Sequence, residues 1–204
     1  MNVDTPKEIT DLVKNFCSEV CPSNAPIWVD VIPQQGAEQD DCFFNIPKHI
    51  EKQGGSIQFG WQIWECENYF IEAEFHAVWK SDVGEFVDIT PKDRPTEKIL
   101  FVPDESKKYE GKDVDNIRKN LSSNKLVDYI LALAHERFKM ISSGRIGSSV
   151  RVNIDQKRYS DIEISKSMLV HMVDNDMTSN SLCPCGSEDR FKHCHEKIIK
   201  KLLK

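Results

Sequence analysis

Apolar residues recur every three or four positions near the N-terminus of the chain. Over residues 6–20 they form one stripe, the spacing that places side chains on a single face of an α-helix. Thr5 and Glu8 have the spacing of a capping box, and Pro6 occupies the first helical position. The pattern therefore predicts an amphipathic helix over residues 6–20.

A second helix and a run of strands follow. The helix is predicted to begin near residues 40–42 and to end at Gly54 and Gly55, since glycine commonly ends helices. Five segments rich in β-branched and aromatic residues are predicted as strands. They cover residues 27–32, 56–65, 69–80, 85–90 and 98–102. This order predicts an α+β fold in which helix packs on an antiparallel sheet.

Helical spacing returns in the second half of the chain, after a charged stretch that begins near residue 104. The predicted helices cover residues 113–121, 124–142 and 157–173, and a polar hinge follows them. We therefore expect three parts. They are a front domain over residues 1–104, a helical segment with a hinge over 105–178, and a small C-terminal module over 179–204.

Composition narrows the class of protein. Hydrophobic residues make up 39% of the 204 positions, which is ordinary for a globular protein. No apolar run approaches the roughly 20 residues that span a bilayer, so we expect no contact with a membrane. The first residues lack the pattern of a secretory signal, which predicts a cytoplasmic protein. Its seven cysteines are then expected to be metal ligands, nucleophiles or core residues.

Charge is unevenly distributed along the chain. Residues 1–104 carry 8 Lys and Arg against 19 Asp and Glu, whereas residues 105–204 carry 19 against 14. The acidic front half argues against binding of nucleic acid there. Nucleic acid could be contacted only by the basic tail, through Lys200, Lys201 and Lys204. A solvated basic helix is the alternative for that tail.

Cysteine and histidine cluster near the C-terminus. Cys183, Cys185, Cys194 and His195 supply three thiolates and an imidazole, the ligand types of a closed, four-coordinate structural zinc site. The segment is too short and polar to fold by burial, so metal binding would supply its folding free energy. His193 is an alternative fourth ligand because it precedes Cys194.

This segment resembles the SEC-C motif, in which Cys-x-Cys is followed after eight residues by Cys-His or Cys-Cys. The resemblance implies that Cys183, Cys185, Cys194 and His195 bind a structural zinc ion. It also implies a bacterial or phage origin and a module that docks onto other molecules. The resemblance covers only this short segment and implies no activity.

A second group of reactive residues lies in the front half. Cys42 is at the predicted start of a helix, where the partial positive charge favours a thiolate. His76 and Asp88 lie in neighbouring predicted strands. An imidazole beside a thiol can accept its proton and return it to a leaving group, and a carboxylate can orient the imidazole. The structural alternatives are a small core cysteine, a core histidine and a turn-capping aspartate.

The order of these residues resembles the transglutaminase-like superfamily of papain-like fold. The resemblance is carried by Gly60-Trp61, by His76-Ala77-Val78-Trp79 and by Val87-Asp88-Ile89-Thr90-Pro91. It implies a papain-like helix with an antiparallel sheet over roughly residues 27–103. It further implies a catalytic nucleophile at Cys42, a base at His76 and an orienting acid at Asp88. Members of the superfamily include peptidases, amidases, transglutaminases and deamidases.

Two further roles remain open at the sequence level. The donor to the reaction's oxyanion could be the backbone N–H of Cys42 or a glutamine of the preceding loop. The candidate glutamines are Gln34, Gln35 and Gln39. Trp61 is a candidate for lining the substrate cleft, although a tryptophan in a strand usually packs in the core.

The sequence thus supports two hypotheses of function. The first is a thiol hydrolase or acyltransferase that acts on an amide or peptide-type bond of a protein or peptide and docks through its zinc module. The second is a non-catalytic adaptor whose zinc module binds a protein partner or the ribosome. The proximity of Cys42 and His76 distinguishes them.

Overall fold

The computed structural model describes residues 1–144 and 153–204. The chain forms two compact units. We call the first the barrel unit, which comprises Val3–Glu65 and Ile71–Ile117. We call the second the helical unit, which comprises Met1–Asn2, Cys66–Phe70 and Arg118–Lys204.

The first helix of the barrel unit is shorter than predicted. Helix α1 covers Asp11–Val20, and the hydroxyl of Thr10 accepts a hydrogen bond of 3.2 Å from the backbone N–H of Val13. The predicted start at residue 6 is therefore wrong, because Thr10 caps the helix and Thr5 does not. The helix buries Val13, Phe16 and Cys17.

The predicted second helix and the five predicted strands are all present. Helix α2 covers Cys42–Gln53. It begins at the residue singled out as a nucleophile and ends before Gly54, whose φ of 72° suits glycine. The strands are β1 (Ile27–Val31), β2 (Ser56–Cys66), β3 (Phe70–Lys80), β4 (Phe86–Asp88) and β5 (Lys98–Pro103).

These five strands close into a barrel, which contradicts the predicted fold class. The strand order is β2-β5-β1-β4-β3, and β3 pairs again with β2. The closing strand β5 is antiparallel to both β1 and β2, while β1 and β4 are parallel. The expectation of a papain- or transglutaminase-like helix on an open antiparallel sheet is therefore wrong. Strand β5 joins the two ends of what would otherwise be an open sheet.

Alternation along the strands gives the barrel two differently packed faces. Val29, Val78, Ile99 and Phe101 form one buried cluster that draws on β1, β3 and β5 and occupies the interior. Successive residues of a strand point to opposite faces. Ala77 and Ile89 therefore face outward, where they pack with Cys42 and Ile46 of α2.

The helical unit contains a strand where a helix was predicted. Strand β6 covers Ile117–Asn120, so the helix predicted over residues 113–121 is wrong. Two predicted helices are present as α3 (Lys125–Gly144) and α4 (Gln156–Asp174). Arg158 of α4 forms a 3.0 Å ion pair with Glu136 of α3. A short 3-10 helix (Phe191–His193) and α5 (His195–Leu202) complete the unit.

In the described part of the chain, no helix has the length and apolar character that crossing a membrane requires.

Candidate active site and metal centre

His76 and Asp88 are joined inside the barrel. Strands β3 and β4 pair antiparallel with Trp79 opposite Val87, and counting from that pair places His76 and Asp88 on the opposite, interior face. Nε2 of His76 lies 2.9 Å from Oδ2 of Asp88. The second carboxylate oxygen accepts a 3.0 Å hydrogen bond from the backbone N–H of Thr90. Asp88 is fully buried and is thus held in one orientation.

Two residues that sequence reasoning missed complete this polar cluster. The ammonium of Lys92 lies 2.6 Å from Oδ2 of Asp88 and donates a 3.0 Å hydrogen bond to Oε1 of Gln62. It also lies 3.4 Å from Nε2 of His76. The available signal was a glutamine inside the otherwise largely apolar strand β2, and a lysine four residues after Asp88.

The charges in this cluster shift two ionisation equilibria. Burial by itself would lower the pKa of His76. The negative charge that Cys42 carries when it is ionised and the carboxylate of Asp88 outweigh burial and the repulsion of Lys92, and they raise the pKa of His76 to about 10. Burial would raise the pKa of Asp88, but His76 and Lys92 lower it to about 2. The arrangement therefore favours an imidazolium beside a carboxylate at neutral pH.

Cys42 is the first residue of α2 and is only 4% exposed. The loop before it is fastened by Asn45, whose side-chain amide donates 2.7 Å to the carbonyl of Glu38 and accepts 2.9 Å from the N–H of Glu38. Cys42 packs among apolar side chains, including Ala77 and Ile89. No hydrogen bond joins Cys42 to His76 among the described residues. The coupling between them is electrostatic.

A cavity of about 330 Å³ brings the thiol and the polar cluster together. Cys42, His76, Gln62 and Lys92 all line it. Its lining also includes aromatic, acidic and basic side chains, among them Phe43, Trp64, Glu74 and Arg94. Such a mixture suits a ligand with both apolar and polar groups.

The structure places the other predicted residues of this site away from the cavity lining. Trp61 is 3% exposed, and its indole N–H donates 3.0 Å to Oδ2 of Asp104. Trp64 lines the cavity instead. Three loop glutamines proposed as oxyanion donors are exposed and lie outside the described lining: Gln34, Gln35 and Gln39.

The C-terminal cysteines and histidine converge on one point. The ligand atoms of Cys183, Cys185, Cys194 and His195 all lie within 4.8 Å of one another. Sγ of Cys185 lies 3.6 Å from Sγ of Cys194, and Sγ of Cys183 lies 3.2 Å from Nδ1 of His195. Two sulfurs on one tetrahedral zinc ion are about 3.8 Å apart. The four residues therefore fit a zinc ion, and the alternative ligand His193 lies outside the cluster.

Local structure holds these ligands in place. The backbone N–H of Cys183 donates 2.8 Å to the carbonyl of Asp189. Gly186 has a φ of 79°, the left-handed conformation that the turn after Cys185 requires. Phe191, which lies in sequence between Cys185 and Cys194, is fully buried. The next helix, α5, is attached to α3 by a 2.6 Å hydrogen bond from the hydroxyl of Tyr129 to Glu196.

Comparison with known proteins agrees with this part of the molecule. Residues 180–197 match the SEC-C motif, which confirms the predicted motif and zinc-binding module. A search of the curated proteins and a search of the solved structures each found no match. The comparisons give no support to the transglutaminase-like domain expected over residues 27–103.

Proposed function

We propose that the protein is a thiol-dependent hydrolase or acyltransferase that acts on an amide or peptide-type bond. The observation that carries this proposal is the position of His76, bound to Asp88 and coupled to the thiol of Cys42 in one cavity. The proposal rests on this local geometry and not on a papain-like fold, because unrelated folds can hold the same catalytic groups.

The proposed reaction starts from a thiolate at Cys42 beside the imidazolium of His76. The thiolate of Cys42 attacks the carbonyl carbon, and the C=O bond pair moves to the oxygen. The oxyanion then collapses and expels the amine, which takes a proton from the His76 imidazolium. Water or another nucleophile attacks the resulting thioester and gives its proton to His76, and Cys42 leaves as a thiolate. Asp88 keeps the imidazole ring oriented throughout.

The SEC-C module has a separate role in this proposal. A zinc ion on Cys183, Cys185, Cys194 and His195 has four protein ligands and no open position, so it would be structural and not catalytic. The folded module would dock the enzyme onto a protein or peptide partner. The reduced thiols that both sites need are those of a cytoplasmic protein.

The second candidate is the non-catalytic adaptor, and one observation favours it. Cys42 packs against the outward-facing Ala77 and Ile89, whereas His76 and Asp88 occupy the interior face. The polar cluster would then serve only to stabilise the barrel, and the zinc module would carry the function.

The experiment that separates the two candidates is the pH dependence of Cys42 alkylation by iodoacetamide. Peptide mass spectrometry reads each cysteine separately, so Cys66, also buried, serves as the internal control. An enzyme predicts rapid alkylation of Cys42 already near pH 6, because the imidazolium stabilises the thiolate. His76→Ala should slow that alkylation at pH 6 at least about tenfold.

Another result would support the adaptor. In that case alkylation of Cys42 accelerates only near pH 8.5, where an ordinary thiol ionises, and His76→Ala does not change the profile. A matched substitution at the second buried histidine, His49→Ala, controls for loss of packing, because His49 contacts Trp79 outside the cavity.

A further inference from the structure

We propose that the side-chain amide of Gln62 binds the oxyanion formed when Cys42 attacks a carbonyl carbon. This inference rests on the proposed function and names the missing donor of the same site. An acyl-transfer site needs a fixed donor for the negative oxygen of the tetrahedral intermediate, and the sequence did not identify one.

Lys92 determines which way the Gln62 amide points. Its ammonium donates 3.0 Å to Oε1 of Gln62. Turning the amide over would put an NH₂ group against an ammonium, two groups that can only donate. The carbonyl oxygen therefore faces Lys92, and the Nε2 donors face the other way.

The Nε2 group of Gln62 is an unused donor. Gln62 is 1% exposed, and Nε2 meets no hydrogen-bond acceptor in the described part of the chain. Buried donors almost always have a partner, so one without a partner requires an explanation. Gln62 also lines the cavity that contains Cys42 and His76. A transient acceptor in that cavity, such as an oxyanion, would satisfy it.

The two cations beside Gln62 are both held by Asp88. The ammonium of Lys92 is held by the carboxylate of Asp88 at 2.6 Å and by Oε1 of Gln62 at 3.0 Å. The ring Nε2 of His76 is bound to Asp88. Among these groups, Nε2 of Gln62 is a neutral, buried donor with no acceptor in the described part of the chain.

The test compares two reactions of the same thiol. In alkylation by iodoacetamide, Sγ of Cys42 displaces iodide and no oxyanion forms. In acylation by p-nitrophenyl acetate, Sγ attacks the carbonyl carbon, an oxyanion forms, and p-nitrophenolate leaves. Gln62→Met keeps the approximate length of the side chain and removes the donor. We expect acylation of Cys42 to fall about 10²-fold, while alkylation changes by less than about twofold.

Two further variants keep the test decisive. Gln62→Glu retains an acceptor for Lys92 and lacks the N–H donor, so it replaces Gln62→Met if that variant does not fold. Gln58→Met removes another buried glutamine on the same face of β2, whose amide donates to the carbonyl of Phe59. We expect Gln58→Met to leave the ratio of acylation to alkylation unchanged.

The outcomes separate this inference from the proposed function. Equal loss of both reactions in the Gln62 variants, or loss of neither, would overturn the role of Gln62 and leave Cys42 and His76 in place. A wild-type thiol that shows no fast alkylation near pH 6 and no acylation would overturn the proposed function itself.

Discussion

At the scale of single residues, Asp88 organises the polar cluster of the barrel. One oxygen accepts from Thr90, and the other contacts both His76 and Lys92. Two cationic groups thus share one fully buried carboxylate. A buried charge of this kind is stable only with its partners, and the partners in turn depend on it.

We expect Asp88→Asn to destabilise the protein at neutral pH by about 3–5 kcal/mol, because His76 and Lys92 would be left as buried cations without an anion. Chemical denaturation at pH 7 measures this loss. The exposed ion pair of Asp30 with Lys98 supplies the control, since Asp30→Asn should cost less than about 1 kcal/mol. Equal effects of the two substitutions would contradict the role given to Asp88.

The same carboxylate predicts how stability depends on acid pH. The pKa of Asp88 is lowered from 3.8 to about 2 in the folded state. Its contribution to the free energy of unfolding is therefore present above about pH 4 and is lost as the pH falls towards 2. Denaturation midpoints measured between pH 5 and pH 2 should fall less steeply in Asp88→Asn than in the wild type. Parallel slopes would show that Asp88 does not titrate with a lowered pKa.

At the scale of elements, Gly60 sets how closely β2 approaches β5. A Cβ added at Gly60 would collide with the backbone carbonyl of Val102 and with the ring of Phe101. Gly60 lies opposite Pro103 in the pairing of these strands, so the backbone has little room to move away. Glycine inside a strand often marks such a close approach.

Gly60→Ala should therefore lower the free energy of unfolding by about 1–3 kcal/mol, the usual cost of overpacking. Thermal or chemical denaturation measures it. Ser56→Ala lies at the exposed start of the same strand and should change stability by less than about 0.5 kcal/mol. A tolerated alanine at position 60 would mean that β2 and β5 separate easily.

Sequence reasoning succeeded where the signal is local and failed where it is not. The extent of α2 and the long strands β2 and β3 were predicted because the spacing of apolar residues and the glycines that end a helix act within a few residues. The stretch that forms β6, Ile117–Asn120, is short and polar and carries no clear period. Lys92 was missed because the residues next to it in sequence do not show that strands β2, β3 and β4 meet at its ammonium.

At the scale of the whole molecule, the closed barrel was not predictable from the pattern of strands. The alternation of apolar and polar residues identifies a strand and its buried face, but it does not show which other strand pairs with it. Here β5 pairs with β1 and with β2, which lie far from it in sequence. By contrast, the ligands of the metal centre lie within thirteen residues of one another, and their spacing alone predicted them.

The metal centre gives a prediction for the complete chain. His195→Ala should abolish stoichiometric zinc binding, and removal of zinc by a chelator should unfold the SEC-C module, because four ligands supply its folding free energy. Metal analysis and circular dichroism measure the two effects. His193→Ala is the matched control, because His193 is exposed and lies outside the cluster. This variant should still bind zinc. Loss of zinc in both variants, or in neither, would overturn the ligand assignment.

The packing of α2 on the barrel strands bears on how the protein would lose its proposed activity on heating. Cys42 belongs to this helix, whereas His76, Asp88 and Gln62 belong to the barrel strands. The helix packs on the strands through an apolar cluster that includes Ile46, and one side-chain hydrogen bond joins Asn45 to Thr90. Domains open in local units, so one helix can open while the strands beneath it stay paired. A slight lifting of α2 would separate the thiol of Cys42 from His76, its proposed base, while the barrel stays folded, so that loss of the proposed activity would precede melting.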